Sequence, residues 1–168
     1  AFVVTVSDHN VAHLRALCPE ARTRIHRLYN GIDLGLFTPA PLTDRVPGRI
    51  LAVGRLVEKK GFHVLLDACA KLKARRVAFD CRIIGDGPQH DALADTILRN
   101  GLQNSVRLAG PMPQEQLAHE LGTASIATLP CVITADGDRD GLPTVLLEAM
   151  AAREIGDTVL VMDNGRIV

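Results

Sequence analysis

Two stretches of the sequence carry groups suited to holding an anion. The first is Gly54-Arg55-Leu56-Val57-Glu58-Lys59-Lys60-Gly61. Cations between glycines, just ahead of a helical segment, suit a phosphate. An arginine fork clamps two oxygens, a lysine adds a point charge, and helix-start amides complete the cradle. The glycine spacing and Lys-Ser/Thr pair of a P-loop are missing, and a solvated basic turn is the plain alternative. The second stretch is Asp140-Gly141-Leu142-Pro143-Thr144-Val145-Leu146-Leu147-Glu148-Ala149-Met150-Ala151. Gly141 to Thr144 would present free amides at a helix N-terminus, which favours an anion such as a pyrophosphate. Asp140 precedes that helix and Glu148 lies about two turns in. Carboxylates accept hydrogen bonds from sugar hydroxyls, often two at once, so acids along this edge could hold sugar rings flanking a diphosphate. Alternatively, Asp140 caps the helix and Glu148 is an exposed helical acid. Glu148 sits between Val145-Leu146-Leu147 and Ala149-Met150-Ala151, where a lone acid is costly without a partner or ligand. That favours a functional role.

Other motifs say less. Gly85-Asp86-Gly87-Pro88 holds only part of a dinucleotide fingerprint and reads alone as a tight strand-to-helix turn. Asp136-Gly137-Asp138-Arg139-Asp140-Gly141 matches the first six positions of a calcium loop. Its closing glutamate would fall on Leu147, and a strand rather than a helix precedes it. Asp136-x-Asp138 also resembles a metal-binding acid pair, a two-residue match common by chance. Calcium binding ranks last among the readings. His9 and His13 have zinc-helix spacing, but Asn10 stands where the glutamate would be, so a surface pair is the better reading. Ser7 and Ser125 have no nucleophile-elbow context.

These stretches need elements to place them. Ala1–Val6 reads as a buried strand, and Ser7 or Asp8 caps a helix bearing Val11, Leu14 and Leu17. Ile25–Tyr29 reads as a strand before an Asn30-Gly31 turn. Residues 38–48, with Pro39, Pro41 and Pro47, read as a linker. Strands are then expected at Ile50–Val53, Phe79–Ile84, Val106–Ala109 and Ser125–Leu129. Helices are expected at Phe62–Ala74, with Leu65, Leu66, Cys69 and Leu72 on one face, and at Gln89–Arg99, Gln114–Leu121 and Pro143–Ala152. Cys131–Asp140 is a polar loop. This alternation predicts an α/β fold, a doubly wound parallel sheet whose loops at the strands' carboxyl ends hold the ligand. Thr158–Met162 and Arg166–Val168 around Asp163-Asn164-Gly165 resemble a hairpin, or a last strand with a frayed end.

Composition sets the outer bounds. The chain has 168 residues, 47% hydrophobic and 23% charged, enough to bury an ordinary core. Nineteen basic residues balance nineteen acidic ones, and four Phe, one Tyr and no Trp make a poor stacking platform, so nucleic acid is not an expected partner. No apolar run has the length of a membrane span, and the first residues lack the basic region and cleavage site of a signal peptide. Cys18, Cys69, Cys81 and Cys131 lie far apart without a Cys-x-x-Cys pair, which predicts reduced, mostly buried thiols in a cytoplasmic protein.

Taken together the motifs resemble glycosyltransferase family 4. They are Asn30-Gly31-Ile32-Asp33 with Phe37, Gly54-Arg55-Leu56 with Lys60-Gly61, Gly85-Asp86-Gly87-Pro88, and Asp140-x7-Glu148 within Gly-Leu-Pro-Thr-Val-Leu-Leu-Glu-Ala-Met-Ala. The resemblance runs from about residue 1 to 152. It implies a retaining GT-B enzyme that moves a sugar from a nucleotide-diphosphate donor to an acceptor, and a Rossmann-like sheet forming an incomplete C-terminal lobe of that fold. By the same resemblance Arg55 and Lys60 grip the diphosphate, Glu148 binds the ribose, and Asp140 contacts the transferred sugar. Gly54, Gly85 and Gly87 belong to the substrate site, as do Gly141, Leu142, Pro143, Thr144 and Val145 facing the phosphates. Pro111 and Met112, in the loop from Gly110, lie near the base. Arg55, Lys60 and Asp140 form the catalytic set, acting by fixed charge, with neither metal nor cofactor beyond the sugar-nucleotide donor.

The resemblance divides the chain into a remnant of the acceptor lobe and hinge (1–37), the linker (38–48), the nucleotide-sugar lobe (49–152) and an atypical tail (153–168). Asp140 replaces the family's usual glutamate, one methylene longer. After Ala151 the family's Gly-x-Pro-Val-Val strand is replaced by Ala152-Arg153-Glu154-Ile155-Gly156-Asp157. The expected partners are the donor and a glycan, lipid-linked or small-molecule acceptor, in the cytoplasm or at the membrane periphery. The rival reading is a non-enzymatic nucleotide-binding or interaction module on the same lobe.

Overall fold

The first elements form a small unit of β1 (Val3–Thr5), α1 (Asp8–Leu17) and β2 (Ile25–Arg27) in a computed structural model. The model describes residues 2–37, 41–140, 144–152, 162–163 and 166–167. β1 and β2 pair in parallel, with Val3 opposite Ile25. Ser7 caps α1 as expected, its Oγ accepting the Asn10 amide at 3.2 Å. The expected burial of the first strand is corrected. Val3 and Val4 are 46% and 45% exposed, because two strands and one helix enclose little besides Val11 and Ile25. His9 and His13 lie exposed on α1. After β2 an aspartate folds the chain back: Asp33 Oδ1 accepts the amides of Gly35 at 2.9 Å and Leu36 at 3.3 Å. The turn delivers Phe37 into the core at 2% exposure.

β3 (Val46–Val53) starts four residues before the expected Ile50 and takes in the last residues of the proline-rich stretch. It pairs with a neighbour at Val46 and again from Ile50, and the register shifts between these points. Pro47, which has no amide to donate, and Gly48, at φ +72°, fall in that interval. α2 (Phe62–Ala74) has the expected span, with Phe62, Leu65, Leu66 and Cys69 buried. Next come β4 (Asp80–Ile84), α3 (His90–Arg99), β5 (Val106–Gly110), α4 (Gln114–Thr123), β6 (Ala124–Ala127) and α5 (Thr144–Ala151). These lie within a few residues of the spans read from periodicity.

The four main strands form one parallel sheet in the order β5-β4-β3-β6. Both faces are covered at the carboxyl ends of the inner strands, where Ile50–Val53 of β3 and Ile83 and Ile84 of β4 run apolar without alternation, while Arg49, Asp80, Arg82 and Arg107 fall nearer the amino ends. Ile50, Ala52, Cys81, Ile83 and Val106 face a core built with α2 and α3. Leu51, Ile84 and Ala124 face a second core built with Phe37, α4 and Ala149 and Ala152 at the end of α5. Cys69 and Cys81 are buried and Cys131 is half-buried, but Cys18 is exposed, in contrast to the other thiols; all four are free. Near the end of the chain β7 (Met162–Asp163) pairs antiparallel with β8 (Arg166–Ile167), the hairpin register read around Asp163. Residues 158–161, 164, 165 and 168 of that reading lie outside the described residues.

Candidate functional site

Main-chain bonds lace the carboxyl ends of the strands together. Gly54 N donates to Ile84 O at 3.0 Å, Gly85 N to Gly110 O at 2.9 Å, and Leu56 N to Asp86 O at 2.9 Å. Glycine makes this approach possible. A Cβ on Gly85, whose φ is +138°, would lie 2.0 Å from Gly54 O, and one on Gly87 would lie 2.5 Å from Leu56 O. Gly54, Gly85 and Gly87 thus stand together along one edge of the sheet, where the last two admit a neighbouring loop rather than a ligand.

The chain runs outward from β3 through β4 to β5, then crosses back to place β6 on the other side of β3. The loops after β3 and β6 therefore separate at the switch point of the sheet, where a crevice forms. They meet again beyond it. Val132 N donates to Lys59 O at 2.9 Å, and a Cβ on Gly61 would lie 1.8 Å from Pro130 O. An open cleft of about 650 Å³ results, lined by Arg55, Val57, Glu58, Lys59 and Lys60 on one side. Thr134, Ala135, Asp136 and Asp138 line the other.

Within the cleft Arg55 is exposed, and Lys59 and Lys60 project from a short 3-10 turn, Glu58–Lys60. The stem of Lys60 passes within 3.4 Å of where a Cβ on Gly54 would stand. Its Nζ reaches Asp140 Oδ2 at 2.6 Å, and both side chains are largely covered, 16% and 15% exposed. The Cys131 thiol donates to the same oxygen at 3.2 Å. Burial first, and that bond second, push the thiol pKa up to about 12, so it stays protonated at neutral pH. Lys59 Nζ lies 3.1 Å from each oxygen of Asp138, which holds the ammonium above its usual range. The Thr134 hydroxyl donates to Asp136 and keeps that carboxyl below its usual range. The three aspartates read as a calcium loop thus turn to three different donors. Among the described residues no group of three or more His, Cys, Asp or Glu is arranged to hold a metal ion.

Glu148 sits on the fifth residue of α5, half-buried, and burial raises its carboxyl above the usual range. Its side chain has no hydrogen-bond or ion-pair partner among the described residues. It does not line the cleft of Arg55 and Lys60. Thr144 opens α5 and is exposed, and Val145 packs against the first core. Gly141, Leu142 and Pro143 lie outside the described residues. Pro111 is exposed. Met112 faces elsewhere, into a cleft of about 440 Å³ with Glu115, Gln116, His119 and Glu120. The structure therefore joins Arg55, Lys60 and Asp140 at one place, with Met112 at another. Sequence reading had Lys59 within the cationic stretch but missed Cys131, Thr134 and Asp138 as parts of this place. Asp138 drew notice only as an acid in a metal-like loop, and no spacing links residue 59 to residue 138.

The family model of the group 1 glycosyl transferases matches residues 42–155, which include both cleft loops. The chain belongs to this family. An amylovoran biosynthesis glycosyltransferase of Erwinia amylovora is 40% identical over 136 residues, 80% of this chain and 33% of that protein. A colanic acid biosynthesis glycosyltransferase of Escherichia coli (strain K12) is 37% identical over 151 residues, 89% of this chain and 37% of that protein. The chain thus spans about a third of the length of these two group 1 relatives. Among solved structures, TarM of S. aureus, in complex with UDP and other ligands, superposes with a TM-score of 0.75 at 16% identity over 90% of this chain and 28% of that one. WaaG, a glycosyltransferase involved in lipopolysaccharide biosynthesis, gives 0.71 at 17% over 88% and 41%. These likenesses establish the Rossmann-like lobe of the GT-B fold for this group 1 member.

Proposed function

We propose that this chain is the donor-binding lobe of a retaining glycosyltransferase whose donor is a nucleotide-diphosphate sugar. The observation that carries the reading is the meeting of Arg55 and Lys60 in the switch-point cleft, with Asp140 against the Lys60 ammonium. Guanidinium and ammonium groups suit a diphosphate. The amides of Thr144 and Val145, in the first turn of α5, lack intrahelical acceptors and add donors for the phosphates; Gly141, Leu142 and Pro143 stand immediately ahead of them in the sequence. Glu148, its carboxyl raised by burial and without a partner among the described residues, is a carboxylate awaiting hydroxyls such as those of a ribose. In this reading Pro111 lies toward the base, Met112 stays in its own cleft, and Gly54, Gly85 and Gly87 bring the strand ends close enough to frame the donor.

In transfer, the bond from the anomeric carbon to the diphosphate oxygen breaks, and the departing electron pair goes to that oxygen. The acceptor oxygen bonds to the same face of the sugar, and its proton passes to the departing diphosphate oxygen. Arg55 and Lys60, placed before the reaction, stabilise the charge gathering on the diphosphate without reorganising. The relatives named for colanic acid and amylovoran biosynthesis support a growing polysaccharide intermediate as acceptor. A cytoplasmic site of action, free or at the membrane surface, goes with such a donor; no described helix is long and apolar enough to cross a membrane. This lobe by itself binds donor and transfers little, because acceptor groups and cleft closure come from the rest of a two-lobed protein.

Binding of UDP, GDP and ADP by calorimetry tests the reading. Lys60→Ala and Glu148→Ala are each expected to weaken the preferred nucleotide about tenfold or more, as loss of a charged hydrogen bond does. Unchanged affinity in both variants would refute the site.

A further inference from the structure

We infer that Cys131 is a positioning residue for the donor-sugar subsite: its thiol holds the Asp140 carboxylate in place when Lys60 turns from that carboxylate to the diphosphate. The inference rests on the donor-site reading above. Asp140 Oδ2 takes two donors, Lys60 Nζ at 2.6 Å and Cys131 Sγ at 3.2 Å. Among the described residues Oδ1 takes none. A diphosphate carries more charge than a carboxylate and competes for the ammonium. Once Lys60 leaves, Asp140 is an anion beside anions, and repulsion drives it from the site. The thiol is the one remaining donor on Oδ2 among the described residues. It keeps the carboxylate where Oδ1 stays open to a sugar hydroxyl.

The backbone makes Cys131 fit for this. Its amide donates to Leu129 O at 2.8 Å, and the next amide, of Val132, donates to Lys59 O at 2.9 Å. Leu129 is anchored in the first core. The thiol is thus fixed relative to the strand end and to the lysine turn at once. Being protonated at neutral pH, it is a donor and not a competing anion. A serine hydroxyl at this position would donate in the same direction, and alanine would not.

The test compares each diphosphate with its sugar conjugate by calorimetry: UDP with UDP-glucose, GDP with GDP-mannose, and ADP with ADP-glucose. It uses whichever pair binds tightest. Cys131→Ala is expected to weaken the sugar conjugate about fivefold, the scale of one hydrogen bond, and to leave the bare diphosphate within about twofold. Cys131→Ser restores the conjugate. In an Asp140→Ala background Cys131→Ala makes no further difference. Thermal melting reports folding, and if Cys131→Ala melts early, Cys131→Val carries the same comparison at closer volume. An equal effect of Cys131→Ala on both ligands, no effect on either, or failure of serine to rescue overturns the inference. A diphosphate affinity indifferent to Lys60→Ala and Glu148→Ala, or no binding by any pair, overturns the donor reading and this inference with it.

Discussion

Glu148 and Lys60 show how two charged residues of the proposed donor site can bear on stability in opposite directions. Burial holds the Glu148 carboxyl above its ordinary value of 4.5. The fold therefore opposes its ionisation. No penalty exists below that ordinary value; it grows as pH rises through the folded value and is complete at neutral pH. Glu148→Gln should raise the melting temperature at pH 7 and leave it unchanged near pH 4, while weakening nucleotide binding. A melting series from pH 4 to pH 8 checks this, and an equal rise at both ends would argue against the cause given. Lys60 is different because it already has a partner. Removing it leaves the largely covered Asp140 carboxylate with the Cys131 thiol as its one donor among the described residues, so Lys60→Ala should cost about 1–3 kcal/mol in urea unfolding as well as affinity. At this scale the sequence was informative about Glu148, since an acid inside an apolar helix stretch is visible as an anomaly. It was silent about the thiol of Cys131, whose importance comes from which oxygen it touches.

The elements that bear these residues meet at glycines. The β3–α2 loop is pressed against the β6–α5 loop where Gly61, at φ +68°, leaves no room for a side chain beside Pro130 O. Gly61→Ala is expected to cost more than about 2 kcal/mol, from backbone strain and steric overlap together. By moving the Lys60 turn it should also weaken diphosphate binding. Urea unfolding and calorimetry on the same variant check both effects, and a destabilisation under about 0.5 kcal/mol would show that the loops are free to separate. The glycines at 54, 61, 85 and 87 were legible as special positions. Their physical task was only partly so, because a phosphate cradle and a close contact between loops demand the same residue. Helix α2 was legible end to end, since Leu65, Leu66 and Cys69 repeat at helical spacing whatever they pack against. The start of β3 was not: Pro47 and Gly48 signal a linker locally, and only pairing of Val46 with Ala124 makes that segment a strand.

Across the whole molecule, Phe37 ties the first unit to the sheet, buried among Leu51, Leu121, Ala149 and Ala152 on the second face. Phe37→Ala should cost about 3–5 kcal/mol, the usual range for a buried phenylalanine, and should loosen the end of α5 that bears Glu148. Hydrogen exchange on α5 amides would register that loosening, and unchanged protection there would confine Phe37 to its own turn. The sequence by itself determined the α/β alternation, the span of α2, the two loops rich in charge, and a resemblance strong enough to name a family. Those features are local: period, composition and spacing along one segment fix them. The tertiary structure alone decided that β6 lies beside β3, that Lys60 reaches Asp140 and Lys59 reaches Asp138, and that Val3 and Val4 are open to solvent. Which strands become neighbours depends on how two apolar faces are covered at once. That is a property of the packed whole, and no stretch of chain read in isolation contains it.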